Sequence, residues 1–142
     1  MTRAIRILLA VLQLSAVPLA VSAETVLAIR GYDPVAYFTQ QHATPGDARF
    51  AFDWDEHRWQ FASARHRDLF RADPARYAPQ FASFCAVALS RGELKPANPE
   101  YWLISEGKLY LFGKSEGPAL FRRNFDANLE KATKNSALTR PH

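Results

Sequence analysis

Two side chains are of the kinds that hold soft metal ions or carry nucleophilic chemistry: Cys85, in the run QFASFCAVALSRG over residues 80–92, and His66, in SARHRDLF over residues 63–70. Cys85 is the only cysteine of the chain. A single thiol cannot close an internal disulfide, which leaves four roles: a buried inert thiol, an intermolecular disulfide, a metal ligand or a reactive nucleophile. A thiolate and an imidazole together suit Cu(I) or Zn. Zinc takes four protein donors, or three and a water, so the pair needs help from His57, Asp33, His42 or a second subunit. Asp33 is also placed to orient His66 from behind, as carboxylates do for metal-bound histidines. The only methionine is Met1, within the expected signal, so a thioether-rich copper site is excluded. Nucleophilic catalysis would need an orienting group such as Asp33, Asp68 or Asn98 and an oxyanion pocket. No glycine adjoins Cys85 to let a substrate approach the backbone, so the reading is non-catalytic. Trp54, Trp59, Trp102 and Tyr110 could line a ligand cage, but aromatics alternating along strands belong first to a core.

These residues need elements to position them. Asp33-Pro34 is a helix start, because the carboxylate accepts a free N–H and proline at the first turn loses no bond; a short helix over 34–39 follows. FAFDW and RWQF alternate with period two and predict a hairpin turning through Asp55 to His57, without the usual glycine. Ser63 is a cap for a helix over 64–72, and Asp73-Pro74 opens one more turn. Residues 80–91 are expected to be helical, with Cys85, Ala88 and Leu89 on one apolar stripe. YWLIS, Glu106-Gly107 and KLYLF predict a second hairpin with Trp102, Ile104, Leu109 and Leu111 on one face. A helix over 118–134 closes the domain on Phe121, Phe125, Leu129 and Ala132, and 135–142 reads as a flexible tail. The expected class is α+β: a small antiparallel sheet built from two hairpins, covered by short helices and a C-terminal helix.

With 142 residues the chain holds one domain. Arg3 and Arg6, the apolar stretch ILLAVLQLSAVPLAV and the small residues Val21-Ser22-Ala23 predict a secretory signal over 1–23. A single domain over 24–134 then remains, periplasmic or secreted, without a membrane attachment once the signal is cut. Removing Arg3 and Arg6 takes the 18 Lys+Arg to 16 against 14 Asp+Glu, too mild a surplus for a nucleic-acid partner. The partners left open are a metal ion, a second copy of the chain or another protein.

The run from Asp33 to Tyr77 resembles a YHS domain: DPVAYF matches that family's Asp-Pro-Val-Cys start, and WQFASARHRDLFRADPARY matches its aromatic hairpin, Phe-Cys-Ser, further Cys and Asp-Pro before Tyr. The likeness extends to an exported branch through YAPQ at 77–80, Cys85-Ala86 and GKLYLF. It implies metal handling by a cysteine cluster. Here, however, Ala36, Ala62 and His66 stand at the three cysteine positions, and Ala82-Ser83 replace the glycines that usually precede the later Cys. The resemblance thus leaves two expectations: soft-metal binding through Cys85 and His66, or an interaction or ligand-binding module with a degenerate metal site and a structural cysteine.

Overall fold

A computed structural model describes residues 24–139; the expected signal segment and residues 140–142 lie outside the described residues. β1 (Val26–Leu27) leads into a 3-10 turn over Ala28–Gly31 and then α1 (Ala36–Thr39). β2 (Asp47–Trp54) and β3 (His57–Phe61) form the first hairpin, pairing Phe52 with Trp59 and Trp54 with His57. Its turn has two residues, Asp55 and Glu56, both left-handed (φ 50° and 62°), the conformation that matches strand twist and that glycine or asparagine usually supplies. β1 lies parallel to β3, giving the order β1-β3-β2. α2 (Ala64–Ala72) starts where Ser63 Oγ accepts the His66 N–H at 3.2 Å, the cap the sequence predicts, and α3 (Pro74–Tyr77) follows.

The expected helix over 80–91 is reduced to α4 (Ala86–Ser90). Residues 80–85 direct backbone groups outside their own segment instead: Gln80 N donates to Leu109 O in the last strand at 2.9 Å, Cys85 N to Lys95 O at 2.8 Å, and Phe84 bridges Pro96. Ala82 is left-handed (φ 50°), which no helix accommodates. Cys85 therefore caps a helix rather than riding on its stripe.

β4 (Asn98–Ser105) and β5 (Lys108–Phe112) make the second hairpin, and Trp102 opposes Leu111 while Ile104 opposes Leu109, as the alternation predicts. This ribbon divides the interior. Leu109 and Leu111 belong to a cluster with Val35, Tyr37, Trp59, Phe61 and Phe70, with Trp102 and Ile104 packed against it. The other face gives Leu103, Tyr110 and Phe112 to a second cluster with Phe81, Cys85, Leu89, Phe121 and Ala132. The class is α+β, but the hairpins form two separate sheets, because β1 joins the first and both faces of the second are taken up by side-chain packing.

The C-terminal helix is broken into α5 (Gly117–Arg123) and α6 (Phe125–Lys134). Asn124 leaves helical geometry (φ −135°, ψ 58°), and Asn128 Nδ2 caps the freed carbonyls of Leu120 and Phe121 at 3.3 and 3.0 Å. The break turns Phe125 edge-on to both Tyr110 and Phe121. Five residues of the expected tail, Asn135–Thr139, form a 3-10 turn held by Asn135 Nδ2 on Leu89 O at 2.9 Å. No helix among the described residues is long and apolar enough to cross a membrane.

Candidate functional site

Asp33 is fully buried and collects donors from three separate segments. Its Oδ1 accepts from Val35 N (2.9 Å) and Ala36 N (3.3 Å) at the start of α1, and its Oδ2 from Ala62 N (2.8 Å) just after β3. Oδ2 also meets His66 Nδ1, from α2, at 2.5 Å. The carboxylate thus performs the helix-starting role expected of it and the orienting role as well. Four donors meet this one buried carboxyl group, so its oxygens are matched by hydrogen bonds in place of water.

The other His66 nitrogen, Nε2, faces Thr39 Oγ1 at 3.2 Å, and the same hydroxyl lies 3.2 Å from Val35 O. The single Thr39 proton has two acceptors, the imidazole and the helix carbonyl. When Nε2 is bare the hydroxyl can donate to it; when Nε2 carries a proton the hydroxyl accepts and turns to Val35 O. With Nδ1 donating to Asp33, both ring nitrogens of His66 face a partner. Thr39 itself is exposed, so this chain of bonds runs from the buried carboxylate to the surface.

Ala36, Ala62 and His66, the three positions at which the resembling family carries cysteines, all close on this one carboxylate. Ala36 is buried and Ala62 is exposed. One imidazole and two methyl groups do not make a donor set for a soft metal ion. Among the described residues no group of three or more His, Cys, Asp or Glu side chains is arranged to hold a metal.

Cys85 belongs to the second cluster, and its sulfur accepts from Ala88 N at 3.5 Å. Only 8% of the residue is exposed, and that part faces a cleft of about 330 Å³. Arg91, Glu93, Lys95, Lys114 and Glu116 surround the mouth, with Val87, Ala88 and Leu120 deeper in. Glu93 pairs with Lys95 at 2.7 Å, which holds the Glu93 carboxyl below its usual range. Gly113 lies beside the thiol, where a Cβ would make ordinary contact with the sulfur at 3.9 Å and a tighter one with Pro96 O at 3.2 Å. His66 is not among the walls of this cleft. Zn–S and Zn–N bonds of about 2.3 and 2.0 Å require the two donors to share one pocket; Cys85 borders this cleft, and the ring nitrogens of His66 are engaged by Asp33 and Thr39.

The remaining sequence candidates are scattered. His57 Nδ1 lies 2.6 Å from Asp55 O at the tip of the first hairpin, and His42 Nδ1 lies 3.4 Å from Thr44 Oγ1 on the surface. Asp68 meets Arg67 at 3.3 Å, and Asn98 Oδ1 accepts from Glu100 N. None of these four lines the Cys85 cleft. Trp59 and Tyr110 are buried, one in each cluster, and Trp102 packs edge-on to Tyr37 at 5.4 Å, so these three serve the core. Trp54 is half-buried beside Phe70, with part of its ring in a cleft.

Thr39 is the partner that sequence reasoning did not assign. Its only signal is a hydroxyl on the last turn of α1, which points nowhere until α2 is folded against it. No family model, no curated protein and no solved structure matches this chain.

Proposed function

We propose that this chain is an exported, non-catalytic YHS-like binding module in which the place of the family's metal cluster is taken by the Asp33–His66 pair. The observation that carries the reading is spatial. Position 36, beside Asp33 in the chain, and positions 62 and 66, just after β3 and in α2, gather on Asp33, as the likeness requires of positions that would share a metal. The backbone N–H groups of Ala36 and Ala62 and the imidazole of His66 give hydrogen bonding there in place of coordination. Cys85 is then a structural thiol at the start of α4, where a small apolar side chain with a weak acceptor is sufficient.

The test is metal uptake by the mature protein against Cys85→Ser and His66→Asn. Zinc and Cu(I) competition assays are expected to give the same weak, non-stoichiometric uptake for all three. Stoichiometric uptake by the wild type that disappears in Cys85→Ser overturns the proposal in favour of soft-metal binding. The converse arm installs thiols at the three gathered positions, Ala36→Cys, Ala62→Cys and His66→Cys together. This variant is expected to gain stoichiometric zinc if the positions descend from one site.

A further inference from the structure

A second concavity includes His57 among its walls and none of Cys85, His66, Asp33 or His42. It has a volume of about 670 Å³ and is walled by Trp54, Asp55, Glu56, His57 and Trp59 from the first hairpin. Opposite them stand Ala78, Pro79, Gln80, Ala82 and Ser83 from the segment after α3, with Ser136 and Thr139 at the edge. The cleft is made by tertiary structure alone: a hairpin tip, a non-helical connection and the last 3-10 turn converge from three regions of the chain.

Its chemistry is one-sided. Two carboxylates, two indoles and an imidazole face the space, and among the described residues no Lys or Arg is one of its walls. The other two acidic groups near this hairpin are engaged elsewhere, Asp53 with Arg58 at 3.3 Å and Asp47 with Arg49 at 2.7 Å. Neither Asp55 nor Glu56 takes part in a salt bridge among the described residues. Trp59 is held by donating its Nε1–H to Trp54 O at 3.0 Å, and the two indoles stand 6.1 Å apart at 51°. His57 adds a third ring, 6.4 Å from Trp59. Tilted aromatic faces next to anionic oxygens attract a desolvated positive charge through the ring quadrupole and through simple Coulomb attraction, and they repel an anion.

We infer that this cleft binds a small organic cation of the quaternary-ammonium or alkylammonium class, with the half-buried Trp54 against its alkyl groups, the nearly buried Trp59 closing the wall behind Trp54, and Asp55 and Glu56 against its charge. The inference is independent of the ancestry of the Asp33–His66 pair. The left-handed turn residues serve it directly, since the two-residue turn lets consecutive side chains, both acidic, stand at the rim instead of the glycine that would leave the rim bare.

Choline and its neutral isostere 3,3-dimethyl-1-butanol are the probes, titrated into the mature protein while the three indole N–H resonances are followed by NMR. Saturable shifts of Trp54 and Trp59, with Trp102 unmoved, are expected for choline and not for the alcohol. The double variant Asp55→Asn, Glu56→Gln keeps the exposed turn and is expected to weaken choline binding about tenfold or more, with an unchanged melting temperature. Equal binding of the two probes, no saturation with choline, or undiminished affinity in the double variant each overturns the proposal.

Discussion

Asp33 and Cys85 each begin a short helix and each accept a bond from that helix's backbone, yet they are held in opposite ways. Asp33 is fully enclosed and draws together α1, the end of β3 and α2 through four donors. Cys85 accepts one weak bond from its own helix and leaves the rest of its sulfur to apolar neighbours and the rim of a cleft. The lesson concerns cost. A buried carboxylate stripped of partners is expensive, so its partners and its position are mutually enforced. A buried thiol is close to a small apolar group, and its surroundings are free to vary.

Removing the two side chains sharpens that contrast most. Asp33→Ala leaves three backbone N–H groups and a histidine without their acceptor, and is expected to cost on the order of 3–5 kcal/mol. Cys85→Ala deletes one sulfur and is expected to cost about 1 kcal/mol. Urea unfolding of both variants checks this, and comparable losses would end the comparison. Next in size is Gly117→Ala in the second cluster. A Cβ on Gly117 would lie 2.6 Å from Phe112 Cβ and 2.8 Å from its Cγ, inside contact distance of a fully buried ring. Overpacking of this kind costs about 1–3 kcal/mol. The loss should appear in thermal melting, while the shift of the His66 ring protons stays as in the wild type, since the β4–β5 ribbon separates the clusters.

The smallest effect is expected in the first cluster. Tyr37 donates its hydroxyl to Pro99 O at 2.8 Å, and burial, aided by Glu100, raises its phenol above the ordinary value. A group raised on folding supports stability below its unfolded pKa, and that support is lost as pH rises through the folded value. Stability should therefore fall above about pH 10. Tyr37→Phe is expected to lose about 1 kcal/mol at neutral pH and to show a shallower alkaline decline. Some decline remains, because burial raises Tyr110 as well. Denaturant midpoints between pH 7 and 11 measure both effects.

Much of this arrangement is legible in particular residues. Ser63 capping α2, Asp33 opening α1, and the shared face of Trp102, Ile104, Leu109 and Leu111 all follow from short-range geometry, where a side chain and the backbone it serves are within a few residues. The failures have two causes. Residues 80–85 carry a helical apolar pattern, but Leu109, Lys95 and Pro96 take their backbone bonds, and those partners are distant in the chain. The stop at Asn124 is hidden differently, since its cap, Asn128, is close by but reaches the Leu120 and Phe121 carbonyls only once the chain has turned. The Asp33–His66 half of the site was visible as a carboxylate and an imidazole of matching type, whereas its Thr39 end and the separation of Cys85 were not.

Taken alone, the order of residues determines which stretches become strands and helices, which face of each is apolar, and which few groups have the chemistry to matter. Those are consequences of steric preference, periodicity and side-chain type, and they act locally. The tertiary structure decides which of those groups meet. The β4–β5 ribbon gives Leu109 and Leu111 to one cluster and Tyr110 and Phe112 to the other, which holds Cys85, while His66 is bonded to Asp33 and Thr39; the hairpin tip and the segment after α3 enclose a cleft that neither encodes by itself. Meeting depends on packing summed over the whole chain, and no single stretch contains that sum.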